Sequence, residues 1–268
     1  MPRIALLTQH GKAQALQPLA DRLGLELVLA TGKNTDDLGT FTRERERVGS
    51  QLEAALTKAR WACELTGARY GLGSEGSFGP DPHLGMVPWG VEIVAWWDAE
   101  RGHAVHGVAQ GGATNFRHRS VDSEAALRAF AEEAGFPLHG LVIGRPQEPW
   151  FDKDAADWAG LFERAAPAWA TGELWVETDM RAHRNPTRMR MIEAAGWALA
   201  ERLAVVCPAC QAPGFGPVRS LPGARCEGCG LPTPAARAEV LACGACAHAL
   251  QRPLRETVSP ARCAYCNP

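Results

Sequence analysis

The 268-residue chain reads as an α/β domain, a mixed sheet flanked by helices, followed by a small two-zinc ribbon module. Three observations predict this. Short apolar runs alternate with stretches of helical periodicity as far as residue 204. Eight of the nine cysteines fall after residue 206, all of them in C-x-x-C pairs. The composition changes sharply at Val205-Val206-Cys207, which sets the expected domains at 1–204 and 205–268.

The elements follow in order. Residues 3–8 form an apolar strand, which Gln9-His10-Gly11-Lys12 breaks. Leu16, Leu19, Ala20 and Leu23 then recur at helical spacing, and residues 25–30 make a second strand. Strand, loop, helix, strand is the unit that favours an α/β fold with right-handed crossovers. Residues 31–49 are polar, and the charge run 43–47 reads as a solvated helix end. Residues 50–66 form a helix with Leu52, Ala55, Leu56, Ala59, Ala62 and Cys63 on one broad face, and Gly67 ends it. On that face Cys63 is a small core residue rather than a nucleophile.

Residues 70–79 read as a short strand running into a glycine-rich turn, Gly73 to Gly79. Segments 91–97 and 104–109 form a hairpin, with His103 and His106 on the surface. Glu92 lies within the first of these strands, either facing solvent or serving as a further acid in a cleft. The loop 115–119 is basic. A helix spans 123–134, with Asp122 or Ser123 as its N-cap and Gly135 as its terminator. A strand at 138–143, a helix at 154–166 and a strand at 174–178 follow. The last helix, 187–203, is opened by Asn185-Pro186.

The totals exclude some functions. The formal net charge is -2, so no global field draws the chain to nucleic acid or acidic lipid. No run reaches the ~18 apolar residues of a membrane helix, so no membrane partner is expected. The N-terminus reads as a first strand, and a cytoplasmic location is expected.

The cysteine pairs are Cys207/Cys210, Cys226/Cys229, Cys243/Cys246 and Cys263/Cys266, separated by 15, 13 and 16 residues. Each C-x-x-C knuckle presents two thiolates, and two knuckles complete a four-thiolate site. Two structural zinc ions are expected, with no coordination position left for substrate. The spacing leaves serial, nested and crossed pairings open, all with the same eight ligands. His248 is read as a neighbour of the third knuckle. Residues 207–268 carry six Arg and three Glu, a weak basic footprint once the thiolate sites are counted.

The polar motifs of the first part suggest phosphate chemistry. Thr8-Gln-His10-Gly-Lys12 opens a helix after a strand, where backbone amides and a lysine suit a phosphate. Glu75 sits among glycines and serines, with Ser74 and Ser77, at a strand's carboxyl end, where α/β sheets hold ligands. Asp179-Met-Arg181-Ala-His183-Arg-Asn185-Pro-Thr-Arg188 gathers phosphate- and base-gripping groups before the last helix.

The order of Thr8 to Lys12, Gly39-Thr-Phe41, Glu53-Ala-Ala-Leu-Thr-Lys58-Ala59, Thr66-Gly67 and Ser74-Glu75-Gly76-Ser77 resembles the inosine-triphosphatase-like nucleotide pyrophosphatases and their Maf-type relatives. The resemblance covers about the first hundred residues. It implies an inosine-triphosphatase-like fold and magnesium-dependent hydrolysis of a nucleoside triphosphate or related nucleotide. Glu53 and Glu75 would hold magnesium, and Lys12 and Lys58 would contact phosphates. Thr8, His10, Ser74, Ser77, Asp179, Arg181, His183, Asn185 and Arg188 would bind the substrate. In this chain Ala54 stands where the family has Asn, and Glu75 is a single acid where the family has two. The Asp179 to Arg188 segment would take the place of the family's terminal Ser-His-Arg. The whole chain, with S-E-G-S-F-G-P, D-M-R-A-x-x-N-P-T-R-M and a closing C-x-x-C-N-P, is also similar to a bacterial domain family without an assigned activity. The alternative expectation is a non-catalytic zinc-ribbon protein that binds nucleic acid or a protein partner.

Overall fold

A computed structural model describes residues 1–34, 49–83, 85–145, 151–169 and 172–268. The Gly39-Thr-Phe41 motif and the charge run 43–47 lie outside the described residues.

The first sheet has five strands in the order β2-β1-β3-β4-β5. They are β1 (Arg3–Leu7), β2 (Glu26–Ala30), β3 (Tyr70–Pro80), β4 (Pro88–Asp98) and β5 (His103–Gly111). β1 runs parallel to β2 and β3, and the long β3-β4-β5 meander is antiparallel. α1 (Ala13–Arg22) and α5 (Pro186–Leu203) pack on one face, burying Ile4, Leu6, Leu72, Val94, Trp96 and Val105 against Leu16, Leu19, Ile192 and Leu199. α2 (Gln51–Thr66) covers the other face, with Ala62 against Ala5 and Leu7. Burying both faces is what a parallel core requires of its apolar strands.

Local chemistry sets the helix ends. Ser50 and Glu53 form a reciprocal capping box at the start of α2, and Gly67 closes it in the left-handed region at φ 66°. Asn185 caps α5 by accepting from the Arg188 amide, with Pro186 in the first turn.

The expected glycine-rich turn at 73–79 is instead the middle and end of the 11-residue β3. Its glycines are there for closeness, not for turning. A Cβ on Gly71 would lie 2.0 Å from the Ala59 carbonyl oxygen, and one on Gly73 would lie 1.9 Å from that of Ala55. Only bare backbone lets α2 approach this strand.

The expected single sheet is also corrected. A second, antiparallel sheet has the order β6-β9-β7-β8. Its strands are β6 (His118–Val121), β7 (Leu141–Gly144), β8 (Phe151–Asp152) and β9 (Leu174–Thr178). With α3 (Glu124–Ala134) and α4 (Trp158–Trp169) it builds its own core around Leu127, Phe130, Leu141, Ile143, Leu161 and Val176. The segment after β9 joins the two parts: the Gly140 amide donates to the Arg184 carbonyl, and the Asp179 amide to that of Gly140.

After α5 come a three-stranded sheet, β10 (Gly216–Pro222), β12 (Ala236–Ala242) and β13 (Ala249–Pro253), and a two-stranded pair, β11 (Arg225–Cys226) with β14 (Thr257–Val258). His103, expected at the surface, is buried. Its Nε2 lies 2.8 Å from the Pro213 carbonyl oxygen, and Gly214 and Gly244 sit against Val105 and His103. No helix among the described residues is long and apolar enough to cross a membrane.

Candidate functional site

Two places concentrate chemistry. The first is the crevice where β1 ends and β3 runs on. β1 pairs with β3 from Ile4↔Tyr70 as far as Leu6↔Leu72, and β3 runs on beyond it. Lys12 reaches across and donates from Nζ to the Ser74 carbonyl at 3.0 Å, with the Ser74 hydroxyl at 3.4 Å. Burial, then the positive charges of Arg188 and Lys58, push the Lys12 amine down to about 7.

Strand alternation splits the acids between the two faces of the sheet. Glu75 pairs in register with Ile93 and points to the α2 face, where Lys58 Nζ meets its Oε2 at 2.5 Å. Gly76 pairs with Glu92, which points to the α5 face, where Arg188 Nε meets its Oε1 at 2.6 Å. Both Glu92 and Arg188 are fully buried. Gly76 makes room for that pair, since a Cβ there would lie 2.2 Å from Glu92 Oε1. Arg188 also donates to the Met180 carbonyl and lies over the Phe78 ring at 5.4 Å. Glu92 Oε2 has no hydrogen-bond partner among the described residues. Lys12 sits at the strand end within reach of both pairs, and the fields of Glu92 and Glu75 raise its amine against the stronger downward causes.

The crevice mouth carries two histidines. His10 stacks on His183 with ring centroids 5.3 Å apart. Burial first, then Lys12 and His183, lower His10 to about 4, so its imidazole is neutral near pH 7. His183 is lowered too, by burial and then by Arg181. Thr8 accepts the His10 amide through its hydroxyl at 3.3 Å, which shapes the turn. Ser77 is exposed at the same strand end.

The structure therefore gathers Lys12, Lys58, Ser74, Glu75, His10 and His183. Several expected contacts are corrected. Glu53 is fully exposed, and its carboxylate accepts the Ser50 amide at 2.7 Å, which holds it below the usual carboxylate range; it serves the helix cap. Asp179 is buried and clamps Arg181 through both carboxylate oxygens, while Arg181 also donates to the Lys153 carbonyl. Asn185 is buried as the α5 cap and donates to the Asp179 carbonyl and to Asn115 Oδ1. Arg188 is sealed inside its pair with Glu92. These three side chains brace the joint between the two sheets rather than face a ligand. Gln51 joins the crevice without belonging to any of the sequence motifs: its amide donates to the carbonyls of Glu75 and Val91, at 2.8 and 2.9 Å. Its place one residue after an N-cap serine, on the same helix as Lys58, was the available signal. Cys63 behaves as a core residue, its thiol pushed up to about 11 by burial.

The second place is the cysteine module. The pairing is crossed: Cys207, Cys210, Cys243 and Cys246 converge, as do Cys226, Cys229, Cys263 and Cys266, with all ligand atoms of a group within 4.8 Å of one another. Across the knuckles, sulfurs approach to 3.8 Å in Cys207/Cys246, 3.6 Å in Cys210/Cys243, 3.8 Å in Cys226/Cys266 and 3.7 Å in Cys229/Cys263. A tetrahedron with metal–sulfur bonds of ~2.3 Å has edges of about 3.8 Å, so both groups fit one zinc ion each.

The knuckles are built locally. The amides of Gln211, Gly230 and Asn267 return to the carbonyls of Cys207, Cys226 and Cys263. Gln211 and Gly230 take the left-handed φ values of 59° and 73° that this turn requires. Amides at Gly228 and Ala245 point at the first sulfur of their knuckles, both at 3.3 Å. Such donors favour the thiolate that a metal needs.

A family model described as a domain of unknown function (DUF6671) matches residues 58–268. The chain belongs to that family. The DUF6671 segment takes in Lys58, Glu75, Glu92, the Asp179 to Arg188 joint and all eight metal-site cysteines, while Lys12 and Glu53 precede it. No curated protein and no solved structure matches the chain.

Proposed function

We propose that the crevice at the end of β1 binds the phosphates of a nucleoside triphosphate or related phosphorylated nucleotide, and that the α/β part hydrolyses it in a magnesium-dependent reaction. The observation that carries this reading is the charge balance around Lys12. Among the described residues Lys12 is buried and forms no ion pair with a carboxylate, because the nearby acids are engaged, Glu75 by Lys58 and Glu92 by Arg188. A buried ammonium without its own counter-charge is costly, which is why the Lys12 amine is lowered to about 7, and an anionic ligand relieves that cost. The order of motifs that resembles the inosine-triphosphatase-like enzymes points the same way.

In this proposal Lys12 and Lys58 contact phosphate oxygens and stabilise charge on them. Glu75 orients Lys58 and would share magnesium, an ion that commonly takes one or two carboxylates plus substrate phosphates. Glu53 is withdrawn from that role by its capping bonds. The zinc module is structural.

The test is release of phosphate or pyrophosphate from a nucleotide panel with magnesium, together with calorimetric binding of pyrophosphate. Release that falls at least tenfold in Lys12→Met and Glu75→Gln supports the proposal. Neither release nor binding at millimolar ligand would sink it.

A second reading rests on one observation. All six arginines of the module, Arg219, Arg225, Arg237, Arg252, Arg255 and Arg262, are exposed, which suits contact with nucleic acid phosphates. A gel shift with RNA or DNA that weakens with salt and is lost on replacing these arginines would favour it over hydrolysis.

A further inference from the structure

We infer that the two four-cysteine centres load zinc as one cooperative unit rather than as two independent sites. The crossed pairing carries the argument. The first and third knuckles make one centre, and the second and fourth make the other. Each of the three connecting segments, 211–225, 230–242 and 247–262, therefore runs from one centre to the other.

Each connector gives one strand to a common sheet. β10 belongs to the first, β12 to the second and β13 to the third. β12 pairs with both neighbours, through Ser220↔Glu239 and Glu239↔Arg252 among others. The ends of the first and third connectors are tied again where Arg225 and Cys226 pair with Thr257 and Val258. Neither set of thiolates can converge without ordering the segments that place the other set.

Little else holds the module. Its apolar cluster is Cys207, Ala212, Phe215, Leu241 and Cys243, and two of those five are themselves ligands. With so small a core, most of the folding free energy has to come from the metal. The first ion thus meets the entropy of closing the connectors, and the second finds its ligands already gathered. A serial pairing of neighbouring knuckles would have closed two separate loops and left the sites independent.

The coupling is read by titrating metal-free full-length protein with zinc and counting bound ions by native mass spectrometry. Coupling of about 100-fold leaves the one-zinc form near a tenth of the protein at half saturation. Independent sites, equal or unequal, let that form reach about half or more, and this result overturns the inference. The second arm removes two ligands of one centre, Cys229→Ser with Cys266→Ser. Affinity at the remaining centre is expected to fall at least tenfold. Retention of one zinc at unchanged affinity overturns the inference. Should the variant not fold, the wild-type titration alone decides.

Discussion

The crevice and the cysteine module both hold charge inside protein, by opposite means. At the crevice, side chains neutralise side chains: Glu75 meets Lys58, Glu92 meets Arg188, and each partner comes from a different element. The surrounding packing must pre-exist for those pairs to form. In the module, cysteine sulfurs gather in two groups that each fit a metal ion, and packing is minimal. The difference teaches where each part is fragile. The crevice depends on close approach of helices and strands, whereas the module has a small core and relies on knuckles only four residues long whose sulfurs fit a metal.

Four outcomes would break or sharpen that contrast. The largest is chelation. Stripping zinc should cost the module on the order of 10 kcal/mol and unfold residues 205–268. Helical circular dichroism from the earlier part should largely persist, and two zinc ions should be released per chain. Because His103 and Val105 pack on the module, a modest fall in the melting temperature of the α/β part is expected as well.

Next comes the sealed pair. Arg188→Met leaves Glu92 buried without its cation and should cost about 3–5 kcal/mol in urea unfolding. Adding Glu92→Gln should recover part of the loss. Gly73→Ala belongs to the same range, about 3 kcal/mol or more, because its new methyl would collide with the Ala55 carbonyl and prise α2 from β3.

The pH dependence is smaller but diagnostic. With Lys12 at about 7, pyrophosphate affinity measured by calorimetry should fall as pH rises through 7, by roughly tenfold per unit above it. Lys12→Met should bind weakly with a flat profile. In the free protein, stability should rise between pH about 7 and 10.5, where only the unfolded chain keeps this proton, and should not vary on its account below 7. A falling affinity that survives in Lys12→Met would assign the titration to another group.

The smallest effect is at the helix cap. Ser50→Ala should lower stability by about 1 kcal/mol. Glu53→Gln should leave any magnesium dependence of nucleotide turnover unchanged, since its carboxylate is held by the Ser50 amide. A lost magnesium dependence there would return Glu53 to the metal site.

The sequence by itself determined whatever depends on near neighbours. The eight cysteine ligands follow from spacing, because two residues between cysteines are enough to turn a knuckle. The caps at Gly67, Ser123, Gly135 and Asn185 follow from residue type, because each satisfies a backbone group within a few positions. The position of Lys12 was legible because its motif follows a strand and opens a helix.

Only the tertiary structure decided the rest. It made a strand of the glycine run, since the clash that demands glycine comes from α2, a separate element of the fold. It placed Glu75 and Glu92 on opposite faces, a consequence of register between β3 and β4. It turned Asp179, Asn185 and Arg188 into braces between two sheets. It also chose the crossed pairing of the knuckles, because every pairing satisfies the same local spacing. The sheet formed by the three connectors is what brings the first knuckle to the third and the second to the fourth.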